Sequence, residues 1–260
     1  MFKTLRMRSP HIAFFVFVSL QCLKSVQIFA AESSPATVRE EAWQECREIC
    51  HWKVHLSRKL PPGDAPEMAE TLELLRKHLE EIVRVVPANA VAELQKVPLW
   101  ISPEYPKTQP KAEYHPGAGW LRDHGRDPVM AKGVELTNTR RFQQETDRMP
   151  YFILHELAHA YHDRVLEGGM RNVEIVAAYE RAKASGRYEK VERVNGGNRP
   201  HTFELAYAMT NPREYFAETS EAYFGQNDFY PFNRMELMQH DPEMADLLRK
   251  LWGVESSVSQ

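Results

Sequence analysis

The stretch from Pro150 to His162, Pro-Tyr-Phe-Ile-Leu-His-Glu-Leu-Ala-His-Ala-Tyr-His, constrains this chain more than any other. It contains His155-Glu156-Leu157-Ala158-His159, an H-E-x-x-H pattern. On an α-helix, residues four apart share a face, so both imidazoles reach one small ion and the Glu lies beside it. Two nitrogen ligands suit zinc, which in catalytic sites takes three protein ligands and keeps one position open. The plain alternative is a buried helix whose histidines are satisfied by hydrogen bonds. Pro150 suits a first helical turn, and Leu154, Leu157, Tyr161 and Val165 form an apolar stripe away from the histidine face. That pattern predicts a helix buried on one side and chemically active on the other.

Two histidines leave the ligand set incomplete. The extended form H-E-x-x-H-x-x-G-x-x-H needs Gly at 162 and His at 165, where this chain has His162 and Val165. His162 shares the helical face, but a straight helix spreads three rings along its axis. The better candidate lies in Asn211-Pro-Arg-Glu-Tyr-Phe-Ala-Glu-Thr-Ser-Glu221, which predicts a second helix with Asn211 as N-cap, Pro212 in the first position and Gly225 at its end. Glu214, Glu218 and Glu221 share a face of it. Asn-x-x-Glu also fits a capping box, in which Glu214 would bond back to the cap instead of a metal.

These residues are similar to the catalytic domain of anthrax lethal factor and the related Pro-Pro endopeptidases. The match is carried by His155-Glu156-x-x-His159 and by Tyr207-x-x-x-Asn211-x-x-Glu214-Tyr-Phe-Ala-Glu218. The resemblance implies a zincin-like α+β fold with a small mixed sheet. It also implies one Zn2+ ion on His155, His159 and Glu214, with Glu156 as general base, Tyr207 supporting the oxyanion and Glu218 in the outer shell. It covers roughly residues 130 to 225, and the gap from His159 to Glu214 holds an insert with a helix near 171–185 and a Gly196-Gly197 turn. A peptide or protein substrate follows from it, without its sequence preference.

Other features bound this reading. Lys3, Arg6 and Arg8 before an apolar run from Ile12 to Leu20, then Ala30-Ala31, read as a secretory signal over residues 1–31. A secreted or periplasmic location and no stable membrane span after cleavage follow. The remaining chain has 29 Lys and Arg against 36 Asp and Glu, a surface unsuited to nucleic acid. Cys46 and Cys50 lie in an acidic stretch that reads as a short helix, where an i,i+4 pair sits awkwardly for a disulfide. Residues 32–95 read as a strand-and-helix extension packed on a core, with strand 52–57 and an amphipathic helix from Pro66 to Val86; residues 96–260 read as the catalytic domain.

Within that domain, 97–102 and 133–138 read as strands, the second a candidate edge for pairing an extended substrate, and 112–124 as a loop studded with His115, Trp120 and His124. A helix over 242–252 closes the chain. The expected function is an exported zinc-dependent peptidase. A non-catalytic zinc-stabilised binding or scaffolding protein, and a zinc hydrolase of non-peptide amides in the cell wall, are the alternatives.

Overall fold

Trp43–Ile49 (β1) and Trp52–Ser57 (β2) form an antiparallel hairpin turned through Cys50 and His51, whose φ values of 50° and 69° are left-handed. The computed structural model describes residues 43–197 and 199–255, so the leader at 1–31 lies outside it. The helix expected around the cysteines is replaced by β1, because a complementary strand follows within two residues and cross-strand pairing outweighs local propensity. Cys46 lies within β1 and Cys50 in the turn that ends it. Both are free thiols.

The chain continues through helices Pro66–Val85 (α1) and Ala88–Leu94 (α2), strand Leu99–Ile101 (β3), strand Ala112–Tyr114 (β4), helix Ala118–Asp123 (α3) and strand Val134–Leu136 (β5). Helices Phe142–Arg148 (α4), Phe152–Arg164 (α5) and Val173–Ala184 (α6) follow, then a hairpin of Val191–Arg193 (β6) and Thr202–Glu204 (β7). Helices Pro212–Phe224 (α7), Arg234–His240 (α8) and Pro242–Leu251 (α9) complete it. No helix among the described residues is long and apolar enough to cross a membrane.

The architecture is a mixed α and β arrangement around a five-stranded sheet ordered β1-β2-β3-β5-β4, with β2, β3 and β5 parallel and β1 and β4 antiparallel at the edges. The parallel centre explains why β3 is buried at all three positions. Helix α1 presents Met68, Leu72, Leu75, Leu79 and Ile82 to the core, as its three-and-four spacing predicts, and Pro87 follows its end.

Two expectations need correction. Strand β5 lies between β3 and β4, so it offers no free edge, and the expected loop at 112–124 contains the true edge strand β4 and helix α3. Three residues ahead of Pro116 and Gly117 are too short to show alternation. Glu135 sits wholly buried in the middle of β5, where a carboxylate requires partners. Tyr105 Oη donates to it at 2.8 Å, Arg126 Nη1 at 2.9 Å, and His115 Nε2 lies 2.9 Å away.

Helices α5 and α7 pack against each other, and α9 packs behind α7. Trp252, just beyond α9, stacks on Tyr161 of α5 with centroids 4.1 Å apart and on Phe216 of α7 at 5.8 Å. Its indole N–H donates to Ser220 Oγ at 3.1 Å. One buried ring therefore touches both helices from behind.

Candidate metal centre and cleft

Helix α5 starts after Tyr151, and its buried face carries Leu154 and Leu157, both fully enclosed. Val165, the last position of the expected stripe, lies past the helix and is exposed. Helix α7 starts as its sequence predicts: Asn211 Oδ1 accepts from the N–H groups of Arg213 and Glu214 at 2.9 and 3.2 Å, and Pro212 fills the first turn. The two helices run antiparallel. At one end Tyr151 lies over Gly225, where a β-carbon would stand 1.9 Å from the tyrosine ring, so only glycine permits the approach.

That register brings His155, His159 and Glu214 together. His155 Nε2 and His159 Nε2 are 3.1 Å apart, and Glu214 Oε2 lies 3.1 and 3.2 Å from them. Three atoms in a near-equilateral triangle cannot all be joined by straight hydrogen bonds. They suit a shared cation: ligand bonds of about 2.0–2.2 Å around a tetrahedral ion put ligand atoms about 3.3–3.6 Å apart. The cluster is a group that could hold a metal ion.

Charge points the same way. Burial alone would lower the His155 imidazole, yet the carboxylates of Glu214 and Glu221 hold it well above its ordinary value. Burial likewise opposes ionisation of Glu214, yet His155 and His159 hold its carboxyl well below the usual range. Both shifts favour positive charge at the centre of the triangle, where a proton and a dication would compete.

The carboxylate that orients His155 is Glu221, which the sequence left unassigned. Glu221 Oε1 lies 2.6 Å from His155 Nδ1, whereas Glu218 Oε1 lies at 3.6 Å. A proton on Nδ1 leaves the Nε2 lone pair facing the triangle, the tautomer a ligand needs. Both glutamates are buried, and burial raises both carboxyls, Glu218 further because Glu221 is beside it. His155, Glu218 and Glu221 also form a compact acidic group, but the 2.6 Å contact makes it a hydrogen-bonded support for the imidazole. The sequence offered only that Glu221 is two helical turns beyond Glu214 on the same face.

Glu156 points toward the edge strand, where its Oε2 accepts from the Tyr114 backbone N–H at 2.7 Å. Tyr207 begins a 3-10 turn just before α7, 47 % exposed, its ring centroid 6.4 Å from that of His155. Burial and the Glu214 carboxylate raise its phenol, keeping it protonated at neutral pH. His162 does not join the cluster; it is buried against Phe216 with neither ring nitrogen partnered among the described residues. His115 is engaged by Glu135, and His124 Nδ1 lies 2.8 Å from the carbonyl of Trp120.

A cleft runs along β4 past the triangle. One recess of about 500 Å³ is bordered by Tyr114, His115, Trp120, His159, Arg213 and Glu214. A second, of about 260 Å³, is bordered by Arg148, Phe152, Arg193, Asp228 and Phe229. Both include Lys111, Ala112, His155, Glu156 and Tyr207, so the His155 corner of the triangle sits where they join. Along β4 the backbone groups of Lys111 and His115 bond toward β5, through Thr137 N to Lys111 O and His115 N to Gly133 O, both 3.0 Å. By strand alternation the N–H and C=O groups of Ala112 and Tyr114 face the cleft. The chain matches no family model, no curated protein and no solved structure.

Proposed function

We propose that this chain is an exported zinc-dependent peptidase of zincin-like architecture, hydrolysing peptide bonds in the cleft along β4. The observation that carries the reading is the triangle of His155 Nε2, His159 Nε2 and Glu214 Oε2 with Glu156 beside it in an open cleft. Two imidazoles and one carboxylate are a donor set that zinc accepts. Zinc bound there would supply Lewis acidity toward the substrate carbonyl and toward water.

The remaining work falls to the chain's own groups. The backbone of Ala112 and the carbonyl of Tyr114 align an extended peptide as an added strand, which positions the scissile amide without requiring particular side chains. Glu156 takes a proton from the attacking water and returns it to the leaving amine. Tyr207, exposed and protonated, donates to the carbonyl oxygen as it gains charge. Glu221 keeps His155 in its ligand tautomer, and Glu218 backs it from 3.6 Å.

A structural metal site needs neither a carboxylate beside the ligands nor an exposed phenol above them, so Glu156 and Tyr207 favour catalysis over scaffolding. Metal analysis of the purified mature protein, followed by incubation with an unbiased peptide library, tests the reading. One equivalent of zinc and cleavage that disappears in Glu156→Gln are expected. A zinc-loaded protein inert toward the whole library, or one equally active after that substitution, would overturn it.

A further inference from the structure

We infer that the smaller recess is a carboxylate-binding subsite on the leaving-group side of the cleft, built from Arg148 and Arg193; this rests on the peptidase reading for its role, though not for its existence. The first support is direction. Strand β4 runs from Ala112 to Tyr114; antiparallel pairing is the more stable per residue, so a peptide added to it runs the opposite way. The smaller recess meets β4 only at Lys111 and Ala112, whereas the larger extends to Gly117. Residues after the scissile bond therefore enter the smaller recess.

The second support is which charges face that recess. Arg148 from the end of α4 and Arg193 from β6 converge on one oxygen, Asp228 Oδ2, donating through Nη1 at 3.4 Å and Nε at 3.3 Å. Asp228 is behind them, its side chain 2 % exposed against 28 % and 29 % for the two guanidinium side chains. The recess is lined by Lys111, Arg148 and Arg193 and by Glu145, Glu156, Glu218 and Asp228; Glu218 and Asp228 are buried, so on the wall away from Glu156 it is the two guanidinium groups that reach the cleft. Glu145, also on the rim, is occupied by a fork from Arg148 Nε at 3.3 Å and Nη2 at 2.7 Å.

The third support is that Arg193 is loosely held. Its bonds to Asp228 and Glu204 are 3.3 and 3.4 Å, longer than the 2.7–2.9 Å typical of charge-assisted pairs. Its guanidinium also lies over Phe229, with Cζ 4.5 Å from the ring centroid. Phe152 and Phe229 give the recess apolar walls. A carboxylate on a short aliphatic stem fits this chemistry, whether it is a Glu or Asp side chain or the free C-terminus of a short leaving peptide.

Paired peptides with Glu or Gln after the scissile bond, each with free and amidated C-termini, test the inference in two readouts. The first is kcat/KM with the zinc-loaded enzyme. The second is the dissociation constant of the same fluorescein-labelled peptides for the zinc-loaded Glu156→Gln protein. The Glu peptide is expected to be preferred by about tenfold or more. Arg193→Gln, which leaves Arg148 on Asp228, should remove most of that preference. A preference tied to the free C-terminus instead, and equally lost in Arg193→Gln, assigns the subsite to the terminal carboxylate.

Cleavage with no acid or terminal-carboxylate preference, or a preference unchanged in Arg193→Gln, overturns the inference and leaves the peptidase reading intact. Arginine-dependent binding without hydrolysis keeps the subsite and removes the peptidase reading. Absence of both binding and cleavage overturns both.

Discussion

Glu156 Oε2 accepts a 2.7 Å hydrogen bond from the backbone N–H of Tyr114, so the proposed base and the edge strand are joined directly. That N–H lies on the side an added strand would approach, so a bound peptide pairs with Ala112 and the Tyr114 carbonyl while Glu156 keeps the N–H. Substrate pairing and positioning of the carboxylate are thereby coupled, and a shift of β4 moves both.

Replacing Glu156 by Gln preserves shape and the ability to accept from Tyr114 N while removing the base. Turnover should fall by about 10² to 10⁴, the span general acid–base catalysis contributes, with zinc content unchanged. Steady-state rates and metal analysis on one preparation check this. Loss of the metal together with the activity would assign Glu156 a structural role instead.

Tyr207→Phe removes one hydroxyl from an exposed position above the triangle. A loss of about 10² to 10³ in kcat with little change in KM is expected of an oxyanion donor. An equal loss in binding of uncleaved peptide would show a general contact instead.

Glu214 and Glu221 should separate in metal affinity. Glu214→Ala removes a corner of the triangle and should abolish stoichiometric zinc. Glu221→Gln leaves the corners but weakens the partner of His155 Nδ1, for which a drop of about 10- to 100-fold in zinc affinity is expected. Competition titration with a chromophoric chelator distinguishes the two.

His78, on α1, supplies a pH dependence away from the metal cluster. Its ring packs edge-on against Phe142 and Phe152, its Nε2 lies 2.9 Å from Thr146 Oγ1, and burial lowers it to about 4 despite a backbone bond to Pro150. The folded state binds fewer protons than the unfolded state between pH 6.5 and 4, so stability falls as pH falls through that window. The shift corresponds to about 3 kcal/mol, fully lost below pH 4. Urea unfolding of metal-stripped protein should show that the stability difference between wild type and His78→Leu shifts toward the variant by this order from pH 7 to pH 4.

Trp252→Ala should destabilise the protein by about 3–5 kcal/mol, because it empties the space shared by Tyr161 and Phe216. Thermal unfolding checks the magnitude. Zinc affinity should fall with it, since the ring touches both ligand-bearing helices.

Much of this site was legible in the residues. The spacing of His155 and His159, the Asn211-Pro212 start and the Gly225 end sufficed to place two helices, and their packing brings Glu214 onto the histidines. What the sequence hid was long-range or short. Strand β4 has only three residues, and its role as an edge depends on β5 entering the sheet between it and β3. Glu221 could not be told from a solvated glutamate until α7 was packed on both sides. Arg148, Arg193 and Asp228 are far apart in the chain and meet only when the β6–β7 hairpin folds back. The Cys46–Cys50 stretch went astray because its pairing partner lies across a turn built on two non-glycine left-handed residues.

The lone acid at the centre of β5 has a consequence beyond its own burial. Tyr105, His115 and Arg126 come from three separate turns of the chain between β3 and β5, and all rest on Glu135. That carboxylate works as a keystone for the segment that reaches the larger recess at His115. Substituting it with Gln should slacken the whole rim at once, seen as faster amide exchange across residues 103–127 while the two ligand helices stay protected.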